Sequence, residues 1–100
     1  MGIYSNVCSQ CNQQPVEYVE DGNLLDIYFR DNKEEYPKKI TVHDENILRK
    51  AIEIYQEEIN KNGLKIKKAI YEPDKTILPL DKKLCDLTIN FSNTIIVYLR

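Results

Sequence analysis

The C-terminal stretch Leu84–Arg100 constrains the fold of this chain more than any other. A short apolar cluster, Leu84-x-x-Leu87-x-Ile89, leads into the polar bend Asn90–Asn93 and then into the run Thr94–Arg100. Side chains in that run are β-branched or apolar and alternate in the way a strand requires. Ile95, Val97 and Leu99 fall on one side of such a strand, Ile96 and Tyr98 on the other. A final strand this apolar on both sides needs a sheet already built to receive it, so the preceding residues must supply one.

They do so in a legible order. Leu25, Ile27 and Phe29 alternate with Asp26, Tyr28 and Arg30, which predicts a half-buried strand over Leu24–Arg30. The polar loop Asp31–Glu35 joins it to a second strand, Tyr36–Val42, with Ile40 and Val42 inward; Pro37 near its start suits an edge. Leu48, Ala51, Ile52, Tyr55 and Ile59 form one helical stripe, flanked by Ile47 and Ile54. Asp44 is the expected N-cap, Glu45 suits the positive end of the helix dipole, and Gly63 is the expected left-handed residue after the helix, with Leu64 folding back. Lys65–Tyr71 reads as a third strand, Glu72–Lys75 as a turn, and Thr76–Leu80 as a short fourth strand broken by Pro79. The order β-β-α-β-β-β predicts an α+β fold with a helix across one face of a mixed sheet. Residues 1–23 lack sustained periodicity and read as an arm ending in the turn Glu20–Asn23, so the expected division is an arm, 1–23, and a domain, 24–100.

This order, the Gly63-Leu64 pair after the helix and the run Leu84, Asp86, Leu87, Ile89, Thr94, Ile95, Val97, Leu99, Arg100 resemble the ubiquitin-like β-grasp domains over about Leu24–Arg100. The resemblance implies a final strand at the centre of the sheet, parallel to the first and between strands one and three. It also implies a recognition surface. Ile96 and Tyr98 match two positions of the apolar patch through which members of that family are bound. Tyr28 on the first strand shares their side, and Ala69 or Tyr71 is the candidate contribution from the third. A protein partner docking on Tyr28, Ala69, Tyr71, Ile96 and Tyr98 is the leading functional expectation. Conjugated members of the family continue to a diglycine tail where this sequence reads Arg100, so a non-conjugating interaction domain is expected ahead of a modifier without its processed tail.

Other chemistry finds less in the sequence. There is one histidine, no Gly-x-Ser-x-Gly or Walker loop, and only three glycines, so no enzyme is expected. A net charge of −2 gives no general affinity for nucleic acid or anionic membrane, although residues 61–83 hold seven lysines against three acids. Met1-Gly2 is followed by Asn6 where an N-myristoylation signal has Ser or Thr, and three cysteines do not make a disulfide framework. A cytoplasmic protein is expected. Cys8-x-x-Cys11 is half of a zinc knuckle, and a tetrahedral site needs four ligands. Cys85 and His43 complete the only available set. The family geometry would bring them to the pole where the arm enters, making a zinc-pinned arm the alternative to a domain without cofactor.

Overall fold

The computed structural model describes residues 17–61 and 63–100. Along the chain run β1 (Leu24–Asp31), β2 (Lys38–His43), α1 (Leu48–Glu58), β3 (Ile66–Tyr71), β4 (Thr76–Ile77), a 3-10 turn (Leu84–Asp86) and β5 (Thr94–Leu99). The five strands form one mixed sheet in the order β2-β1-β5-β3-β4. β5 lies parallel to β1 and antiparallel to β3, at the centre of the sheet. With α1 packed across one face, the architecture is the expected α+β, β-grasp-like arrangement. The arm residues 1–16, including Cys8 and Cys11, lie outside the described part.

Burial follows the alternation. Ile27 and Phe29 of β1, Ile40 and Val42 of β2, Ile95 and Val97 of β5 meet Leu48, Ala51, Ile52 and Tyr55 of α1, and all are buried. Tyr55 lies tilted on Phe29 with ring centroids 5.5 Å apart. Each of the larger apolar side chains contributes about 1.5–3 kcal/mol by leaving water. Leu84 of the 3-10 turn is fully buried, and Leu87, Ile89 and Leu99 pack against the same core.

Both ends of α1 differ from the sequence expectation. The helix begins at Leu48, after Ile47, with no side-chain cap. Asp44 lies before it, in a turn where its Oδ1 accepts from the Asn23 N–H at 3.0 Å. The first free N–H groups of the helix donate to distant carbonyls instead, Leu48 to Lys82 O at 3.0 Å and Arg49 to Leu80 O at 2.8 Å. Once the 80–84 segment satisfies those donors, a capping side chain has nothing left to do. Glu45 likewise sits outside the helix and pairs with Lys83 at 2.9 Å.

At the other end the left-handed residue is Asn60, with φ 60°, and not Gly63. The Lys61 N–H donates to Gln56 O at 2.8 Å and the Asn60 N–H to Glu57 O at 3.3 Å. This crossed pair is a Schellman closure, and asparagine is the residue besides glycine that tolerates its left-handed position. Leu64 stays exposed and makes no clasp. The closure aims Lys61 at Asp31, at the end of β1, with Nζ to Oδ2 2.8 Å.

β3 contains an irregularity. Ile66 faces Leu99, but Lys68 faces Tyr98, so the register shifts by one across Lys67. Such a bulge places two residues opposite one. Beyond it, the side chains of β3 exchange the face of the sheet on which an even alternation would put them.

Candidate interaction surface

The face away from α1 is set by the cross-strand register. Ile70 stands opposite Ile96 on β5 and opposite Ile77 on β4, while Ile96 stands beside Arg30 on β1. The row Ile77–Ile70–Ile96 therefore crosses three strands on one face. Lys68 stands opposite Tyr98, its ammonium 4.8 Å from the ring centre, a cation–π contact. Tyr28 shares the face beside Lys39 and Thr94.

Of the five residues expected on this surface, Tyr28, Ile96 and Tyr98 are there. Ala69 and Tyr71 are not. Ala69 pairs with Val97 and is fully buried in the core. Tyr71 pairs with Ile95, packs against the core, and uses its hydroxyl to hold the 90–93 bend. That oxygen accepts from the Asn90 N–H at 3.1 Å and from Asn93 Nδ2 at 2.9 Å. The reason is the bulge. Counting by two from an inward Ile66 turns Ala69 and Tyr71 outward; the extra residue reverses them and brings Ile70 out. An Ile-Lys-Lys-Ala-Ile-Tyr segment, whose alternation breaks at its paired lysines, is the one hint the sequence holds.

Exposure across the row is uneven. Ile77 is 64% exposed, whereas Ile96 is only 6% exposed although it faces away from the core. Its neighbours enclose it. Arg30 reaches from β1 across β5 to Glu72, with Nη2 to Oε2 3.5 Å, and its Nη1 donates to Glu34 O at 2.6 Å. Ile96 is thus the floor of the surface, and Ile77, Ile70 and the two tyrosines form its raised part. Sequence reasoning misses Arg30, Ile70 and Ile77 as members.

A second constellation lies where the arm meets the body. The Tyr18 hydroxyl accepts from the His43 backbone N–H at 3.2 Å and lies 2.8 Å from His43 Nδ1. Asn46, 1% exposed, pairs reciprocally with one arm residue: its Oδ1 accepts from the Val19 N–H at 2.7 Å, and its Nδ2 donates to Val19 O at 2.8 Å. The same Nδ2 donates to His43 O at 2.9 Å. A side-chain amide thus takes the place of a strand partner for Val19. No periodic pattern marks Asn46, so nothing in the sequence singles it out.

The expected metal candidates are placed in part. The Cys85 N–H donates to Asp44 O at 2.9 Å, which brings Cys85 to the same pole as His43. Its thiol is pushed up by partial desolvation and by the carboxylates of Glu45, Asp86 and Asp44, and it donates to Glu45 Oε2 at 3.7 Å. That environment disfavours the thiolate, the form that binds metal. Among the described residues no three His, Cys, Asp or Glu side chains cluster as a metal site would require.

A cleft of about 270 Å³ opens below β4, floored by Leu78, Leu87 and Ile89 and edged by Asp74 and Asp86. The Thr76 side chain, together with the Thr76 N–H that donates to Asp74 Oδ1 at 3.0 Å, holds the Asp74 carboxyl below the ordinary range. Among the described residues no helix is long and apolar enough to cross a membrane. Compared with known proteins, the chain matches no protein-family model and no curated protein.

Proposed function

We infer that the protein is a non-enzymatic interaction domain that docks a protein partner on the face of the sheet opposite α1. The observation that carries this reading is the row Ile77–Ile70–Ile96, flanked by Tyr28 and Tyr98, on a face that no described element of the domain covers. Aliphatic and tyrosine side chains grouped on an open sheet face are enriched where proteins dock. Arg30, Lys39 and Lys68 surround the apolar centre, which favours a partner with carboxylates beside its apolar contacts. The full-length protein used as bait should retain a specific partner that Ile77→Asp and Tyr98→Ala baits lose. A Glu57→Lys bait, altered on the exposed side of α1, should retain it. Identical captured sets from all four baits would refute the assignment, provided circular dichroism shows each folded.

The zinc-pinned arm is a second reading. What favours it is that Cys85 bonds to Asp44, the residue after His43, and that Tyr18 lies 2.8 Å from His43 Nδ1. Among the described residues Nε2 then has no hydrogen-bond partner, and a second-nitrogen contact of the kind a metal-bound imidazole makes is in place. Cys8 and Cys11 would supply the remaining ligands. Elemental analysis of protein purified without chelator should find one zinc per chain that His43→Ala removes; metal-free protein would reject this reading.

A further inference from the structure

β1 is flanked by β2 along most of its length but by β5 only from Tyr28 onward, because β5 begins at Thr94, opposite Tyr28. Within a strand, backbone groups point alternately to the two neighbours. The Asn23 carbonyl accepts from the Asp44 N–H on the β2 side, and the Asn32 N–H donates to Val97 O on the β5 side. Even-numbered residues of β1 therefore direct their N–H and C=O away from β2. For Leu24 and Asp26 no strand lies in that direction, and among the described residues their backbone groups find no partner there. The Asn93 N–H, which a continued ladder would offer to Asp26, turns back to Asn90 O at 3.1 Å.

Alongside these four groups lies an open depression of about 660 Å³. Leu25, Ile89 and Phe91 form its apolar side, each half-buried against the core, and Tyr28, Asn90 and Ser92 line the remainder. Leu24, the residue before Leu25, is 67% exposed. Asp26 is the one charged group in the lining, and its carboxylate already accepts from the Thr41 hydroxyl at 2.6 Å.

We propose that this gap is a strand-addition slot that receives a short extended segment of a partner protein. The segment hydrogen-bonds to Leu24 and Asp26 and continues the sheet beside the first half of β1. Its alternate side chains then face opposite ways. One set, small and apolar, packs against Leu25, Ile89 and Phe91. The other, polar and without carboxylates, lies beside Asp26 and Tyr28. Backbone pairing supplies the attachment and the apolar side supplies selectivity, as in other strand-addition sites. β2, one outer edge of the sheet, also offers backbone groups without a strand partner among the described residues, but Pro37, Lys38 and Lys39 guard it in the manner of an edge kept from pairing. No lysine lines the slot. The slot stands apart from the face proposed above, sharing only Tyr28 with it.

Amide hydrogen exchange followed by NMR on the full-length protein tests this directly. In the free protein the Leu24 and Asp26 amides should exchange as in an open chain, while those of Leu25 and Ile27, bonded to β2, are protected. Millimolar acetyl-Thr-Val-Thr-Val-Thr-Lys-amide should slow the Leu24 and Asp26 amides at least about tenfold, with shift changes confined to residues 24–28 and 89–92. The same peptide N-methylated at alternate residues should have no effect. Protection of Leu24 and Asp26 before peptide is added would mean that the slot is already filled, which overturns the proposal. So would the absence of slowing, equal binding of the methylated peptide, or protection appearing at Lys39 and Thr41 instead.

Discussion

The two ends of α1 are closed by different means. At its start the free N–H groups are met by carbonyls more than thirty residues away, and Asn46 just before the helix ties in the arm. At its end the closure is local, made by five consecutive residues from Gln56 to Asn60 and by Lys61 after them. One end holds only when the rest of the domain is folded around it; the other is written into the helix itself. Substitutions at the start should therefore loosen several parts of the molecule at once, while those at the end should act nearly alone.

The largest effect is expected at Asn46. Asn46→Ala removes three hydrogen bonds from a fully buried amide and strands the Val19 N–H and C=O, a loss of about 3 kcal/mol. Urea unfolding monitored by circular dichroism measures this, and exchange of the Val19 amide should rise in parallel. A loss below about 1 kcal/mol would mean that water replaces the amide and that the two ends do not differ as described.

A smaller effect belongs to Asp31. Burial pushes its carboxyl up, but the hydrogen bond from Lys61, the Lys33 N–H and the charges of both lysines outweigh this and hold it below the usual carboxylate range. The folded state then binds this proton more weakly than the unfolded chain does. The stabilisation is present above the unfolded-state value and is lost as pH falls through the depressed folded value. Asp31→Ala should cost about 2 kcal/mol at neutral pH and flatten the fall in stability on acidification. Lys61→Met should flatten it as well. An unchanged acid limb in both variants would detach the ion pair from the closure of the helix.

The smallest effects separate two neighbouring positions. Asn60→Val forces a β-branched residue into the left-handed region and should cost about 1–2 kcal/mol, whereas Asn60→Gly should be close to neutral. Gly63→Val should change stability by less than about 0.5 kcal/mol, since a side chain there meets open space. Reversal of that order in thermal melts would return the closure to Gly63.

The same contrast explains what is legible in the sequence. The buried stripe of α1 and the alternation of β1, β2 and β5 depend on neighbours within a few residues, and each can be read from the residues alone. The central place of β5 comes instead from the resemblance carried by Leu84–Arg100, since alternation alone does not say which strands flank it. Features fixed by long-range partners escape. Asp44 has the right chemistry for a cap, yet backbone carbonyls at Leu80 and Lys82 already hold the donors it would serve. Asn46 gives no signal until Val19 is beside it. On the candidate surface, Tyr28, Ile96 and Tyr98 follow from simple parity, while the same parity puts Ala69 and Tyr71 on the wrong side because β3 interrupts it. Residue type alone favours Gly63 over Asn60, although both stand within reach of the helix end.

The bulge in β3 also has a meaning for length. A regular strand that loses one residue exchanges its two faces, and the core turns to water. β3 carries a spare residue at the irregularity, like slack in an expansion joint. With Lys67 deleted, Ile66 still meets Leu99 and Lys68 still meets Tyr98, now as consecutive rungs of an even ladder. The segment can shorten by one residue with every inward side chain kept inward, a freedom that β1 and β5 do not have.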